Sequence, residues 1–459
     1  MPAYRPASRL GGHQLLAFSL CALVALIDGF DTQAIALAAP QIAAEWNVAP
    51  ASFGGVFAAG LIGALFGALG FGIAADRFGR KPSLLVAIIL FGGVTLLTPF
   101  ATSTSDLFLI RIVTGLGLGG ALPSVIAVTS EYAPPERRAT IVSLMFCGFP
   151  LGAVLGGIAA AKLMPLYGWP VLFDIGGVAP LLLLPAIMAF VPESVRFLAL
   201  RGRHDAAQRV ALRMRFAAEE EPAHEAAQRS SLLMLFRDGR ALGTWLLTGT
   251  FLLSLMLAYF LVNWLPMIAR QAGRGTAGAS LGIAALNLGA ILGCLIIGRI
   301  ADRHGAAVPI GWGYGLGAVA IALIGVVAHS TPLFLLTCFI AGALSIGAQM
   351  CVVALGAIYY DTAIRATGVG WLMGTGRFGA IFGPILGAVL IGRGVMPAGL
   401  FMVAAAISAA AAIGAFLIAA FVPRVATRGG GAAVPPAIDT SPVAMALRPA
   451  SPRQGTGSV

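Results

Sequence analysis

A helix that crosses a bilayer needs about 20 consecutive apolar residues, and this chain holds runs of that kind twelve times. They centre near residues 27, 64, 92, 118, 151, 181, 254, 290, 319, 345, 380 and 410. Inside lipid a backbone has no water to bond, so such a run must satisfy its own N–H and C=O groups as a helix. Composition agrees. Hydrophobic residues make up 59% of the 459 and charged residues only 10%, where soluble domains carry about 25% charged residues. The expected fold class is all-α integral membrane, with twelve transmembrane helices. The first run does not read as a cleaved signal peptide: it is too long, contains two acids and lacks a small-residue cleavage site.

The polar stretches divide the chain into a basic tail (1–14), six spans (15–192), a polar loop (193–242), six more spans (243–422) and a last segment (423–459). That last segment is rich in Gly, Pro, Ala and Ser, has no apolar periodicity and is expected to be disordered. The loop mixes charge with apolar residues, as in Arg209–Met214. This suits either an amphipathic helix on the membrane surface or a solvated linker.

The two sets of spans repeat one another. Gly72-Ile73-Ala74-Ala75-Asp76-Arg77-Phe78-Gly79 returns as Gly298-Arg299-Ile300-Ala301-Asp302-Arg303-His304-Gly305, at an offset of 226. Arg138-Ala139-Thr140 returns as Arg365-Ala366-Thr367, and Gly152-Ala153-Val154-Leu155-Gly156 as Gly379-Ala380-Ile381-Phe382-Gly383, both at 227. The chain is therefore two pseudo-symmetric six-helix bundles in tandem. Parallel repeats of this sort are a transporter architecture, with the substrate site near the midplane between the halves.

The formal charge is +11, yet it does not point to nucleic acid. With both termini cytoplasmic, all but six of the 29 Lys and Arg lie on the cytoplasmic side, as the positive-inside rule requires. Lys162, Arg270, Arg274 and Arg393 fall outside, and Arg111 and Arg377 fall within spans. The five cysteines lie within spans, are odd in number and show no metal spacing. They read as small apolar packing residues.

Ionisable groups at membrane depth are costly and mark either a functional site or a structural ion pair. The first span holds two, Asp28 and Asp31, three residues apart and so on one face. Counted at 1.5 Å per residue, Arg111 in the fourth span lies at their depth, roughly 6–10 Å below the outer face, which makes it the expected counter-ion of both. Two close carboxylates repel, which favours a proton on one of them. Arg377 stands where the first repeat has Pro150. A lone arginine in a span is the best candidate to grip an anion, because its guanidinium fits a carboxylate bidentately. Asn263, Trp264, Asn287, Tyr259 and Gln349 are further polar or aromatic groups in spans, suited to lining a cavity or to interhelical hydrogen bonds.

The Asp76 loop, Gly72-x-x-Ala75-Asp76-Arg77-x-Gly79-Arg80-Lys81, resembles the signature loop of the major facilitator superfamily. That resemblance implies gating on the cytoplasmic side by Asp76, Arg77, Arg80, Glu131 and Arg138, with Asp302, Arg303 and Arg365 in the second copy. Pro192-Glu193-Ser194-Val195-Arg196 resembles a motif after the sixth helix in several of its families. Further similarity is carried by Asp28-Gly29-Phe30-Asp31-Thr32-Gln33, the run Gly115–Pro123 with Thr129-Ser130-Glu131-Tyr132, Asn263-Trp264-Leu265-Pro266, and Arg365-Ala366-Thr367-Gly368 with Gly376-Arg377. Together they resemble the bacterial aromatic acid:proton symporters. One departure is Tyr360-Asp361-Thr362, where those proteins have a Tyr-Pro pair.

The resemblance implies proton-coupled uptake of an aromatic carboxylate across the bacterial inner membrane, by a monomer without cofactor or metal. Asp28 and Asp31 would couple protons, and Arg377, Arg111, Asn263, Trp264 and Gln349 would contact substrate. Carriage of an aliphatic acid, or export by antiport, fits the same features. No nucleophile–base constellation argues for an enzyme, and no attached soluble domain argues for a sensor.

Overall fold

The computed structural model describes residues 2–6, 10–134, 137–214, 216–220, 232–237, 239–327, 330–361 and 364–422. The expectation of disorder over 423–459 concerns residues outside these. Among the described residues, twelve helices are long and apolar enough to cross a membrane, and their centres match the apolar runs. They are numbered here as spans 1 (Gly12–Glu45), 2 (Pro50–Phe78), 3 (Arg80–Phe100), 4 (Thr104–Tyr132), 5 (Thr140–Tyr167), 6 (Pro170–Phe190), 7 (Ala241–Gln271), 8 (Thr276–His304), 9 (Ala307–Val326), 10 (Thr331–Tyr359), 11 (Thr367–Gly392) and 12 (Pro397–Phe421).

The sequence repeat is a structural repeat. Gly79 and Gly305 follow directly on spans 2 and 8, with φ of 106° and 82°. Those values suit only a residue without a Cβ, so the same glycine ends the same helix in both halves. Span 5 lies on span 1 so closely that a Cβ on Gly152 would overlap the Leu26 carbonyl, and a Cβ on Gly379 would likewise overlap the Leu252 carbonyl between spans 11 and 7. Small residues permit this approach, and dispersion along the seam holds it. Gly152→Leu is therefore expected to reduce the folded, monodisperse protein recovered from membranes, by an overpacking cost of roughly 1–3 kcal/mol or more. Gly156→Ala should be tolerated, because its Cβ would meet only ordinary contacts near 3.6 Å. Size-exclusion profiles of fluorescently tagged variants check both.

The halves meet at the ends of the spans distal to the N-terminus. There a Cβ on Gly54 of span 2 would overlap Ala388 of span 11, and one on Gly157 of span 5 would lie 2.8 Å from the Ser280 carbonyl of span 8. Phe57 sits edge-on to Trp264, ring centroids 5.2 Å apart. At the opposite ends of spans 2 and 8, Cβ positions on Gly70, Gly72 and Gly298 meet nothing within 4 Å.

Two features outside the spans differ from a plain tail and linker. The basic lead forms a strand, Pro2–Pro6, paired antiparallel with Phe216–Glu220 from Pro2↔Glu220 to Pro6↔Phe216. This ribbon is a small β addition to an otherwise helical protein. The central loop contains helices Val195–Leu200 and His204–Arg213. The second is amphipathic, burying Ala207 and Ala211 one turn apart. Arg209–Arg213 thus falls in a helix capped by Met214 and packed against the first half, rather than in a solvated linker.

Candidate functional site

Between the halves lies a cavity of about 80 Å³, walled by spans 1, 2, 4 and 5 of the first half and spans 7 and 11 of the second. Its polar groups are few: Asp28 and Thr32, Arg111, Tyr259 and Asn263, and Arg377. Ile35, Val56, Phe57, Leu61, Leu118 and Phe149 make most of the rest of the wall. Apolar walls with a small number of placed polar groups are the usual form of a small-molecule site. Glycines set the wall positions. A Cβ on Gly29 would overlap the Phe149 carbonyl, and Cβ atoms on Gly115 and Gly119 would overlap the carbonyls of Gly60 and Ala64. The backbones of spans 1 and 5, and of spans 2 and 4, are thereby drawn together around the space.

The two aspartates of span 1 part company. Asp31 accepts a bond from Arg111 Nη1 at 3.1 Å, and both side chains are buried. Its other oxygen accepts from Thr95 Oγ1 at 3.1 Å. The Arg111 guanidinium also lies 5.1 Å from the centre of the Phe173 ring. Asp28 instead lines the cavity. Its Oδ1 accepts from Thr32 Oγ1 at 3.2 Å, and its Oδ2 has no hydrogen-bond partner among the described residues. The expectation that Arg111 neutralises both acids is therefore corrected: it pairs with Asp31 alone. Residues three apart differ by about 60° around a helix. For short side chains that is enough to send Asp31 into the first half and Asp28 into the space between halves.

Arg111 Nε and Nη2 have no hydrogen-bond partner among the described residues, although the residue reaches the cavity wall. Asp31→Asn would leave this guanidinium buried without its counter-charge, at a cost of roughly 3–5 kcal/mol. That variant is expected to lose most of its folded protein, and Asp31→Asn with Arg111→Gln to regain it. The yield of monodisperse protein is the measurement.

Arg377, half-buried on span 11, faces Asp28 across the cavity, and its charge acts on both Asp28 and Tyr259. Asn263 donates its Nδ2 to the Tyr259 carbonyl at 2.7 Å and borders the same space. Two expected contacts fall elsewhere. Trp264 is fully buried, donates Nε1 to the Pro384 carbonyl at 3.0 Å and packs on Phe57, so it joins spans 7, 11 and 2 beyond the cavity. Gln349, on span 10, does not line the cavity either. Thr32, Phe57 and Phe149 were not singled out from sequence. Thr32 had a signal, its place four residues after Asp28. The phenylalanines had none in a chain with 26 of them.

Two of the gating candidates, Arg80 and Glu131, join a network at the N-terminal side of the first half. Arg80 Nη1 meets Glu131 Oε2 at 2.5 Å and donates to the Ala127 carbonyl at 3.2 Å. Ser194 Oγ donates to the other Glu131 oxygen at 2.8 Å. Glu193 Oε1 accepts from the Arg80 backbone N–H at 2.9 Å, and the Glu193 carbonyl accepts from Tyr132 Oη at 2.6 Å. These bonds tie span 3, span 4 and the segment after span 6 to one another, and none crosses to the second half. Asp76, Arg77, Arg138, Asp302 and Arg303 are exposed. The Arg77 guanidinium lies 5.4 Å from the Phe78 ring centre. Arg365 donates Nε to the Tyr360 carbonyl at 3.3 Å. At the departure noted before span 11, Asp361 pairs with Arg240 at 3.5 Å, and Thr362 lies outside the described residues.

A family profile described as Major Facilitator Superfamily matches residues 21–361. The chain is 40% identical over 400 residues to the 4-hydroxybenzoate transporter PcaK of Pseudomonas putida, covering 85% of this chain and 88% of that one. It is 36% identical over 396 residues to a gallate transporter of Pseudomonas putida, covering 84% and 87%. With the 3-(3-hydroxy-phenyl)propionate transporter of Escherichia coli (strain K12) it shares 35% identity over 404 residues, covering 87% and 93%. In fold it is similar to the xylose transporter XylE from E. coli in a partially occluded inward open conformation, with TM-score 0.65, 18% identity, and coverage of 90% of this chain and 98% of that one. The chain belongs to the major facilitator superfamily, and within it to the aromatic acid permeases, a family of transporters and not of enzymes.

Proposed function

We propose that this protein takes up an aromatic carboxylate together with protons across the bacterial inner membrane by alternating access. The observation that carries the reading is that Arg377 and Asp28 line the same mostly apolar cavity between the halves. An aromatic acid needs an apolar slot for its ring and a cation for its carboxylate. Phe57, Phe149 and Tyr259 supply the first and Arg377 the second, with the free donors of Arg111 on the opposite wall. The relatives' names support this substrate class.

Coupling follows from competition for one cation. While Asp28 is ionised it holds the field of Arg377, and a substrate carboxylate must displace it. A proton on Asp28 releases Arg377, so proton and anion bind together. The pair enters with less net charge than the bare anion, whose entry an inside-negative potential opposes by about 2.3 kcal/mol per charge per 100 mV. Asp31, already paired with Arg111, serves coupling only through that pair.

Halves 15–192 and 243–422 would rock about the cavity as a monomer, with both termini in the cytoplasm. The contacts concentrated at the far ends of the spans support a cytoplasm-facing state. Asp76, Arg77, Arg80, Glu131 and Arg138, with Asp302, Arg303 and Arg365, would close that side during the cycle. Uptake of labelled 4-hydroxybenzoate by cells expressing the protein tests the reading. A protonophore should abolish uptake, and unlabelled aromatic acids should compete while short aliphatic acids do not. Uptake indifferent to the protonophore would overturn the coupling, and competition by aliphatic acids alone would overturn the substrate class.

A further inference from the structure

Cys294 on span 8 and Cys351 on span 10 are 57 residues apart in sequence, yet their Sγ atoms are 3.9 Å apart. The Cys351 thiol also points at the Cys294 carbonyl, at 3.7 Å. The helices are this close because glycines face each other along the contact. A Cβ on Gly347 would lie 2.8 Å from the Cys294 nitrogen, and one on Gly293 would overlap the Ala343 carbonyl. Five residues before Cys351, span 10 completes a π-helical turn, Gly342–Ile346, an irregularity that recurs at functional sites. Both thiols are half-buried, whereas Cys21 and Cys338 are buried. Across the division between halves, Cys147 stands where span 5 breaks between helices Arg138–Phe146 and Gly148–Tyr167, and span 8 packs against the second of these helices. Span 8 thus touches both span 10 of its own half and span 5 of the first half, a surface that must slide when the halves rock.

We propose that Cys294 and Cys351 form a reversible, hydroperoxide-responsive dithiol whose oxidation to a disulfide ties span 8 to span 10 and arrests transport. One thiol sulfur takes the terminal oxygen of the hydroperoxide. The O–O bond breaks, water or an alcohol leaves, and a sulfenic acid forms. The second sulfur then attacks the first, the S–O bond breaks and a second water departs. Two electrons pass from the sulfur pair to the peroxide. A disulfide has S–S near 2.05 Å, so the sulfurs need to close by only about 2 Å. In a reducing cytosol the pair stays open, as cytosolic disulfides with a redox-sensing role do at rest. The bond locks span 8 to span 10 within the second half, just beyond the irregular turn of span 10, so these two helices can no longer shift against each other as span 8 repacks on the first half.

Intact mass and uptake together test this. Purified protein treated with hydrogen peroxide should lose the mass of two hydrogens and regain it with dithiothreitol. Reconstituted in vesicles, it should lose uptake and recover it in parallel. Cys294→Ala and Cys351→Ala should each abolish the sensitivity, and Cys147→Ala should keep it. A wild-type protein that retains both thiols after peroxide overturns the proposal, and so do single variants as sensitive as the wild type. The mass change does not depend on which substrate is carried, so it decides the chemistry even if aromatic uptake fails.

Discussion

Arg377→Ala is expected to abolish measurable uptake of labelled 4-hydroxybenzoate at micromolar concentration, while the amount of folded protein in the membrane stays close to normal. Arg377 is half-buried at the cavity wall, so its loss opens no core void. Removing one member of a desolvated charge pair costs roughly 2–5 kcal/mol, or about 30-fold to about 5,000-fold in affinity. Arg377→Lys keeps the charge but not the planar fork, which is the part that matches a carboxylate bidentately. It should recover only a minor share of the affinity. Binding to purified protein separates affinity from turnover: the expected change is in Kd, and an Arg377→Ala variant with the wild-type Kd would refute the carboxylate contact. The span carrying this arginine is fixed by close contact with span 7 through Gly379 and Gly383, so helix packing sets where the arginine stands.

Asp28→Asn is expected to separate accumulation from exchange. The amide imitates a protonated Asp28 and leaves Arg377 permanently available. Substrate should still bind and still exchange with substrate on the other side, but a proton gradient should no longer drive accumulation. In the wild type, ionising Asp28 restores competition for Arg377, so affinity should fall as pH rises. In Asp28→Asn that dependence should flatten. Counterflow in vesicles measures the exchange, and uptake against an imposed pH gradient measures the accumulation. If both are lost equally, Asp28 is needed for binding itself, and the competition mechanism fails. Asp31→Asn is expected to differ in kind. Its first effect is loss of folded protein through the stranded Arg111 guanidinium, a deficit that a partner substitution at Arg111 relieves.

That contrast between two acids three residues apart shows where sequence reasoning stops. Depth counting placed Arg111 level with Asp28 and Asp31, and it is indeed bonded to one of them. Depth does not choose between them. The choice came from rotation about the axis of span 1, fixed where its backbone meets that of span 5, Gly29 against the Phe149 carbonyl and Gly152 against the Leu26 carbonyl. Arg377 was legible because the sister repeat lacks it. Trp264 was misplaced because a large aromatic beside Asn263 suits a cavity and an interhelical joint equally well. The bond to the Pro384 carbonyl and the contact with Phe57 decide for the joint. The cysteines read as isolated packing residues. Only the folding of spans 8 and 10 against each other brings Cys294 to Cys351.

The sequence by itself determined that this protein spans a membrane twelve times in two repeated halves. Apolar length and the demand for internal hydrogen bonds in lipid are local properties of each run, and the repeat is written in matching residues. It also determined which groups are costly enough to need partners. The tertiary structure decided who partners whom: Asp31 with Arg111 and Arg80 with Glu131, while Asp28 and Arg377 come to line one cavity. Pairing depends on how far each helix is turned about its axis. That rotation is set by close glycine contacts between helices distant in sequence, which no single stretch of the chain specifies.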